Sequence, residues 1–301
     1  MKTKFKTLDL LPISVMAGLF VLVDLLAFLV AEPFDAAGGG AFPDPGNWFN
    51  IVFFISVLLV FTVVILLIIK FWKKEVIRII FLGSTGFLSF YVFYLLLVGF
   101  VDPLVSLVIS VAGAALLLVA MIKKPEWYVT NAIALFTAVG AIALIGISLT
   151  VPIAIVLLIA MAVYDALAVY KTKHMIDMAD SFIDLKLPVV FVVPRKKGYS
   201  LLKQEKGLKE QIKEGTERGA YFLGVGDVVF PGILAVSAFH YLADNGLLMA
   251  LSVLVGSLVG FLVLMTLVIK GKPQAGLPLL CSGAILGYVV AGFLLFGFPP
   301  F

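Results

Sequence analysis

The sequence has little of what many soluble enzymes use for chemistry. Of its 301 residues one is cysteine and two are histidine, so it can form no internal disulfide and no cysteine-rich metal site. His174 and His240 do not have the HExxH spacing of a zinc protease. The sequence also has no Walker loop, no GxSxG nucleophile elbow and no GxGxxG turn between a strand and a helix. We therefore expect neither a metal nor a cofactor.

Charge is scarce as well, and apolar residues take its place. Only 13% of the residues are charged, 62% are hydrophobic, and the mean hydropathy is +1.18. Such a surface is too apolar for a soluble domain, and apolar runs long enough for a helical span, about 20 residues, recur along the chain. The alternation of a β-barrel is missing, so helices are the expected spanning structure. The composition predicts an all-α, multi-pass membrane protein in which the lipid bilayer is the solvent.

Nine apolar segments bounded by charges, Pro or Gly are predicted to be transmembrane helices. Their residues are 11–31, 48–69, 77–100, 103–122, 128–147, 151–170, 219–240, 246–269 and 276–297. We divide the chain into residues 1–170 with spans one to six, a cytoplasmic loop at 171–218, and residues 219–301 with spans seven to nine. Together they are expected to form a single membrane domain.

The distribution of cations supports this count. With nine spans, all 22 Lys and Arg residues fall in the N-terminal segment and in the loops on the same side, eleven of them between 171 and 218. Short loops rich in Lys and Arg remain in the cytoplasm, so the N-terminus is predicted to be cytoplasmic and the C-terminus extracytoplasmic. The net charge of +4 is thus a topology signal, and no nucleic-acid partner is expected.

The loop at 171–218 is the one long polar segment. A segment of this length is either a solvated linker or a functional element that gates or contacts a substrate. Its apolar stretch LPVVFVV at 187–193 has strand propensity and could offer an edge for strand pairing.

Three acids lie deep in apolar sequence, namely Asp24, Asp165 and Asp227. An acid in a span is costly by about 3 kcal/mol on insertion scales, so each calls for an explanation. Asp24 has no motif around it, and we interpret it as a buried, hydrogen-bonded carboxyl that holds helices together. Asp165 and Asp227 lie roughly 9 and 14 Å from the cytoplasmic charges at 1.5 Å per residue. Because spans six and seven run in opposite directions, the two carboxyls are expected at similar depths.

Two carboxyls close together in a water-limited pocket cannot both ionise cheaply and tend to share one proton. One can then act as a base and the other as an acid. This arrangement activates a water molecule against a peptide carbonyl and protonates the leaving amine without a covalent intermediate.

The local sequence around both acids supports the pairing. Tyr164 precedes Asp165, and Gly224, Val225 and Gly226 precede Asp227 in the motif GVGD. The two glycines remove side chains beside the acid, so that another helix or a substrate backbone can approach closely. Either motif alone is weak, but the two on consecutive spans at matched depth are specific.

This combination resembles the presenilin and signal peptide peptidase family of intramembrane aspartyl proteases, which carry YD on span six and GxGD on span seven of nine. The resemblance extends to the large loop between these spans and to a third motif at span nine. Family members have Pro-Ala-Leu there, whereas this sequence has Pro278, Leu279 and Leu280, and the leucine in place of alanine adds bulk near the active site. The N-terminus-in topology looks like that of the presenilin branch, because signal peptide peptidases are inverted. The chain as a whole resembles an archaeal-type presenilin homologue, and we expect a prokaryotic cell membrane as the location.

The resemblance implies that Asp165 and Asp227 are the catalytic pair. It implies that the partners are transmembrane helical peptide substrates, which must be unwound locally before attack. Partner subunits are not required by the sequence, and a homo-oligomer is compatible with it.

Three alternatives remain open. A proton- or cation-conducting transporter or leak channel would also hold membrane carboxylates, although we find none of the paired repeats usual in such proteins. A prepilin-type peptidase also uses GxGD but has fewer spans. A scaffold without activity would tolerate Asp-to-Asn changes at both positions.

The GxxxG spacing of Gly256 and Gly260 predicts close helix packing, within the monomer or between copies.

Overall fold

The computed structural model describes residues 10–71, 74–172, 185–195, 198–201, 219–268 and 274–300. Within these residues the chain forms nine α-helices and one two-stranded sheet. The helices are α1 (Leu10–Ala36), α2 (Phe49–Phe71), α3 (Lys74–Val98), α4 (Pro103–Lys123), α5 (Trp127–Gly146), α6 (Val151–Ala166), α7 (Val225–Tyr241), α8 (Gly246–Val268) and α9 (Leu277–Phe296). A π-helical turn, Leu167–Thr172, continues α6. The strands are β1 (Val190–Pro194) and β2 (Ala220–Gly224).

Among the described residues, eight helices are long and apolar enough to cross a membrane. The exception is α7, which has 17 residues. The predicted seventh span at 219–240 was wrong at its beginning, because Ala220–Gly224 is a strand and the helix begins at Val225. The stretch AYFLG is apolar enough to be read as helix, but its aromatic residues also suit a strand when a partner strand is present.

The two strands pair antiparallel, and the all-α prediction therefore needs this small addition. Phe191 lies opposite Leu223, and Val193 lies opposite Tyr221. The strand propensity of the apolar stretch at 187–193 is thereby confirmed for its second half. Most of the predicted loop, residues 173–184, 196–197 and 202–218, lies outside the described residues.

A side chain on α5 closes the outer edge of β1. The buried amide of Asn131 donates to the carbonyl of Val192 at 2.8 Å and accepts from the N–H of Val192 at 2.8 Å. Alternate residues of a strand direct their backbone N–H and C=O groups to opposite sides, and those of Val192 point away from β2. Asn131 thus makes the two hydrogen bonds that a third strand would make.

The chain divides into two compact units. The first comprises Met1–Ile51, Ala138–Lys173 and Gly226–Phe301, and the second comprises Val52–Thr137 and His174–Val225.

In the first unit the middle of α7 is deeply buried. Its residues 230–238 are all buried, and Phe239 stacks on Phe28 of α1 with ring centroids 5.6 Å apart. At its C-terminal part Ser237 donates to the carbonyl of Leu149 at 2.6 Å, and Tyr241 donates to the carbonyl of Ile147. A helix enclosed by other helices in this way has little need of the length that a lipid-facing helix requires.

Helices α8 and α9 pack backbone against backbone in the same unit. A Cβ on Gly256 would collide with the carbonyl of Gly283, and a Cβ on Gly260 would collide with the carbonyl of Leu279. Small residues permit this close approach, and the predicted use of Gly256 and Gly260 for packing inside the monomer is confirmed.

In the second unit, Leu187 and residues 199–201 contact the helices through apolar packing and hydrogen bonds. Leu187 packs into a cluster with Ile65, Ile68 and Ile77 of α2 and α3. Glu126 accepts hydrogen bonds from the Ser200 hydroxyl at 2.7 Å and from the Leu201 N–H at 3.1 Å. Burial, together with the negative charge of Glu126, raises the pKa of Tyr199 to about 12. Residues 199–201 are therefore tied to the start of α5.

Candidate active site

Asp165 lies at the C-terminal end of α6, where the helix changes character. It is the next-to-last residue of the α-helix, and the backbone continues as the π-helical turn from Leu167. π-Helical turns are rare and occur frequently at functional sites. The Asp165 side chain is 3% exposed. A carboxyl this deeply buried needs hydrogen-bond donors from another element.

Asp227 lies in the first turn of α7, directly after β2. The N–H of Val225 donates to the carbonyl of Val189 at 3.0 Å, so the strand ladder reaches the first residue of the helix. The Asp227 side chain is partly buried. At a helix N-terminus the helix dipole favours a negatively charged side chain.

The two carboxyls converge on the residues that precede α9. The N–H of Leu277 donates to Oδ2 of Asp165 at 3.0 Å. A Cβ placed on Gly276 would lie 2.8 Å from Oδ1 of Asp227 and 3.0 Å from its Cγ. Cys281, one turn into α9, is buried. Asp165, Asp227 and the start of α9 therefore form one site.

The first turn of α9 explains why backbone amides face this site. Gly276 has no side chain with which to cap the helix, so its amide and that of Leu277 face the carboxyl of Asp165. Pro278 has no N–H, and the N–H of Leu279 bonds to the carbonyl of Gly276 at 3.2 Å. The donors of this helix end are thus satisfied by the carboxylate of Asp165 and the carbonyl of Gly276, or are removed by proline.

A sequence model of the family described as "Signal-peptide peptidase, presenilin aspartyl protease" matches residues 17–298. The chain belongs to this family. It is a multi-pass integral membrane protein and an intramembrane aspartic endopeptidase.

Solved structures agree with this assignment. A presenilin family intramembrane aspartate protease in a C222 crystal form shares 30% identity with the chain, with a TM-score of 0.69, and the match covers 94% of this chain and 99% of the other. A second structure of the same description, in a P2 form, shares 31% identity with a TM-score of 0.66, covering 93% and 96%. The comparison with curated proteins gave no match.

The remaining motif residues of this presenilin-family protease lie on α6, β2 and α7. Tyr164 is partly buried beside Asp165 on α6, Gly224 ends β2, and Val225 begins α7. Gly226 is exposed, and a Cβ there would meet only Phe230, at 3.7 Å. Packing within the described residues therefore does not require a glycine at 226.

The third motif lies in the first turn of α9. Pro278 and Leu279 are partly buried, and Leu280 is fully buried. The backbone of Leu279, rather than its side chain, makes the close contact with α8 at Gly260. The bulk that Leu279 adds near the active site stays a prediction.

Asp24 of the protease packs against α7. It is 1% exposed on α1, and a Cβ on Gly232 of α7 would be 2.6 Å from its Oδ1. Neither of its oxygens has a hydrogen-bond partner among the described residues, so the prediction of a hydrogen-bonded carboxyl was wrong. A glycine at 232 makes room for the acid without supplying a donor.

Sequence reasoning missed three residues at or next to the site of this protease: Tyr170, Gln274 and Gly276. Gly276 lies two residues before Pro278, and only the adjacent motif could have drawn attention to it. The described residues contain no group of three or more His, Cys, Asp or Glu that could hold a metal ion.

Proposed function

We propose that Asp165 and Asp227 hydrolyse peptide bonds within the transmembrane segments of membrane-protein substrates by activating a water molecule between them. The observation that carries this proposal is the convergence of both carboxyls on Gly276 and Leu277 at the start of α9. A pair of carboxyls in a site of low dielectric shares one proton, as the acid and base roles require.

The proposed reaction is a general acid–base hydrolysis. The ionised carboxylate takes a proton from water while the water oxygen bonds to the peptide carbonyl carbon, and the protonated carboxyl gives its proton to the carbonyl oxygen. The resulting gem-diol collapses as one hydroxyl proton returns to a carboxylate and the other carboxyl protonates the amide nitrogen. The C–N bond breaks and leaves a carboxylic acid and an amine.

A substrate helix must be unwound before this attack, and its freed backbone groups then need partners. Asn131 occupies the outer edge of β1 at Val192, so the outer edge of β2 is the one that we propose for strand addition to the sheet, as far as the described residues go. Phe222, opposite Val192, directs its N–H and C=O away from β1. We propose that an extended substrate pairs there, in the chain segment that leads within three residues from Gly224 to Asp227.

The remaining features of the proposed function concern setting and partners. The substrates are transmembrane helical peptides, and no partner subunit is needed for hydrolysis. The cation distribution supports a cytoplasmic N-terminus and an extracytoplasmic C-terminus. We propose a prokaryotic cell membrane as the location, and self-association is compatible with the function without being needed for it.

The test uses the purified full chain in detergent with a single-span peptide, and mass spectrometry maps the products. Asp165→Asn and Asp227→Asn each keep the side-chain shape but cannot supply the shared-proton pair, so each is expected to abolish cleavage. Asp24→Asn is the matched control, since it changes the third membrane acid in the same way and should cleave at the wild-type rate. A hydroxyl-bearing transition-state mimic should block the wild type. Cleavage by either active-site variant, with the wild-type melting temperature, would exclude the two-aspartate mechanism.

A further inference from the structure

The hydroxyl of Tyr170 links the π-helical turn after α6 to the residues that lead into α9. It donates to Oε1 of Gln274 at 2.9 Å and accepts from the N–H of Ala275 at 3.2 Å. Both partners directly precede Gly276 and Leu277. A side chain five residues after Asp165 therefore contacts the same short segment that faces the aspartates.

Two contacts from one helix define the orientation of this segment better than one. Asp165 holds the Leu277 N–H, and Tyr170 holds the residues at the other end, 274 and 275. A single hydrogen bond leaves a chain free to rotate about it, whereas two anchors three residues apart restrict that rotation. The backbone position of Gly276, against which the Asp227 carboxyl lies, is then set by residues on both of its sides.

Burial does not explain why a tyrosine stands at this position. The Tyr170 side chain is 56% exposed, so its ring contributes little to a core. Its hydroxyl, by contrast, acts as donor and acceptor at once, and among side chains of this length few can do both. The polar tip, rather than the apolar ring, is the part that the fold uses.

We propose that Tyr170 is a positioning residue for hydrolysis, which holds residues 274–277 in register with the two aspartates. This inference rests on the proposed roles of Asp165 and Asp227. Tyr170 does not touch the reacting atoms; it acts through the Gly276 and Leu277 backbone. We call the two hydrogen bonds of the Tyr170 hydroxyl, to Gln274 and to Ala275, the Tyr170 clamp. Small misplacements of reacting groups lower turnover steeply, so loss of this clamp is expected to lower kcat rather than substrate binding.

The first test compares Tyr170→Phe with the wild type in the single-span cleavage assay. Loss of the hydroxyl should lower kcat about ten-fold, as expected for two ordinary hydrogen bonds, with KM within about two-fold. Tyr91→Phe on α3 removes the same group elsewhere and serves as the matched control, with kcat expected to stay at the wild-type value. A wild-type kcat in Tyr170→Phe, or an equal loss in Tyr91→Phe, overturns the proposal.

A second variant separates positioning from a general loss of structure. Gln274→Leu removes one of the two partners and should lower kcat by a smaller factor, about three-fold. The double variant should be no slower than Tyr170→Phe alone, because residues in one network are not additive. If the kcat losses of the two single variants multiply in the double variant, the two residues act independently and the proposal is overturned.

Binding of the hydroxyl-bearing transition-state mimic gives a readout that does not depend on turnover. In Tyr170→Phe its affinity should fall by the same factor as kcat/KM, whereas the affinity for an uncleavable helical peptide should not change. An unchanged affinity for the mimic contradicts the proposal. Failure of the proposed function would look different, because there Asp165→Asn or Asp227→Asn would still cleave.

Discussion

Gly276→Ala tests the geometry of the site with a single methyl group. The backbone at Gly276 has φ −80° and ψ −49°, which any residue adopts readily, so the substitution strains nothing by itself. The new Cβ would, however, lie 2.8 Å from Oδ1 of Asp227. The three atoms nearest to the new Cβ all belong to Asp227, so the group that has to give way is a proposed catalytic carboxyl.

The displacement can be worked out from these contacts. Ordinary van der Waals contact begins at 3.4 Å, so Oδ1 must retreat by about 0.6 Å. Because a misplacement of about 1 Å costs on the order of 100-fold in rate, we expect kcat to fall by about 10- to 100-fold. Stability should fall by no more than about 1 kcal/mol, since Gly276 is the N-cap residue of α9 and alanine is a poorer N-cap residue than glycine.

The assay is cleavage of the single-span peptide, with thermal unfolding measured on the same samples. Gly18→Ala on α1 is the control, because a Cβ there would meet nothing within 4 Å. It should match the wild type in kcat. The reasoning is refuted if Gly276→Ala cleaves as fast as Gly18→Ala, or if it loses activity only in proportion to a lower melting temperature.

Three further predictions follow from other contacts. Gly226→Ala should raise KM several-fold and leave the melting temperature unchanged. The exposed position has room for a methyl group in the free protein, but an approaching substrate would collide with it. An unchanged KM would show that no substrate approaches this position. Gly256→Ala should destabilise the protein by about 1–3 kcal/mol in denaturant unfolding, since its Cβ would meet the α9 backbone, whereas Gly83→Ala, with open space around it, should not. Asp24→Ala should leave the unfolding free energy within about 1 kcal/mol of the wild type, because an unpaired buried carboxyl contributes no hydrogen bond, and a larger loss would reveal a partner.

The long helices and the two aspartates were accessible from the sequence for a physical reason. The bilayer leaves few options for a chain this apolar, so length and hydropathy identify the spans. Acidic residues are rare in such apolar runs, so each one can be recognised individually in the sequence. Asp165 and Asp227 could therefore be paired before any coordinates were known, and the structure brings both to the start of α9.

The beginning of α7 and the rest of the site were not accessible in the same way. Ala220–Gly224 is a strand because residues 190–194 pair with it, and a partner so far away in the chain leaves no mark on local hydropathy. The amides of Gly276 and Leu277 are equally invisible, since almost every residue carries an N–H and only the fold directs it at a carboxylate. The Tyr170 clamp depends on the same kind of long-range contact.

The amide of Asn131 on β1 has a consequence for behaviour in concentrated solution. Sheets polymerise when each molecule has two open edges, so that it can pair with a neighbour on either side. Here one edge is already occupied by a side chain of the same molecule, and Pro194 at its end has no N–H to offer. Two such sheets would pair edge to edge through β2, and the capped position at Val192 opposes further growth on the β1 side.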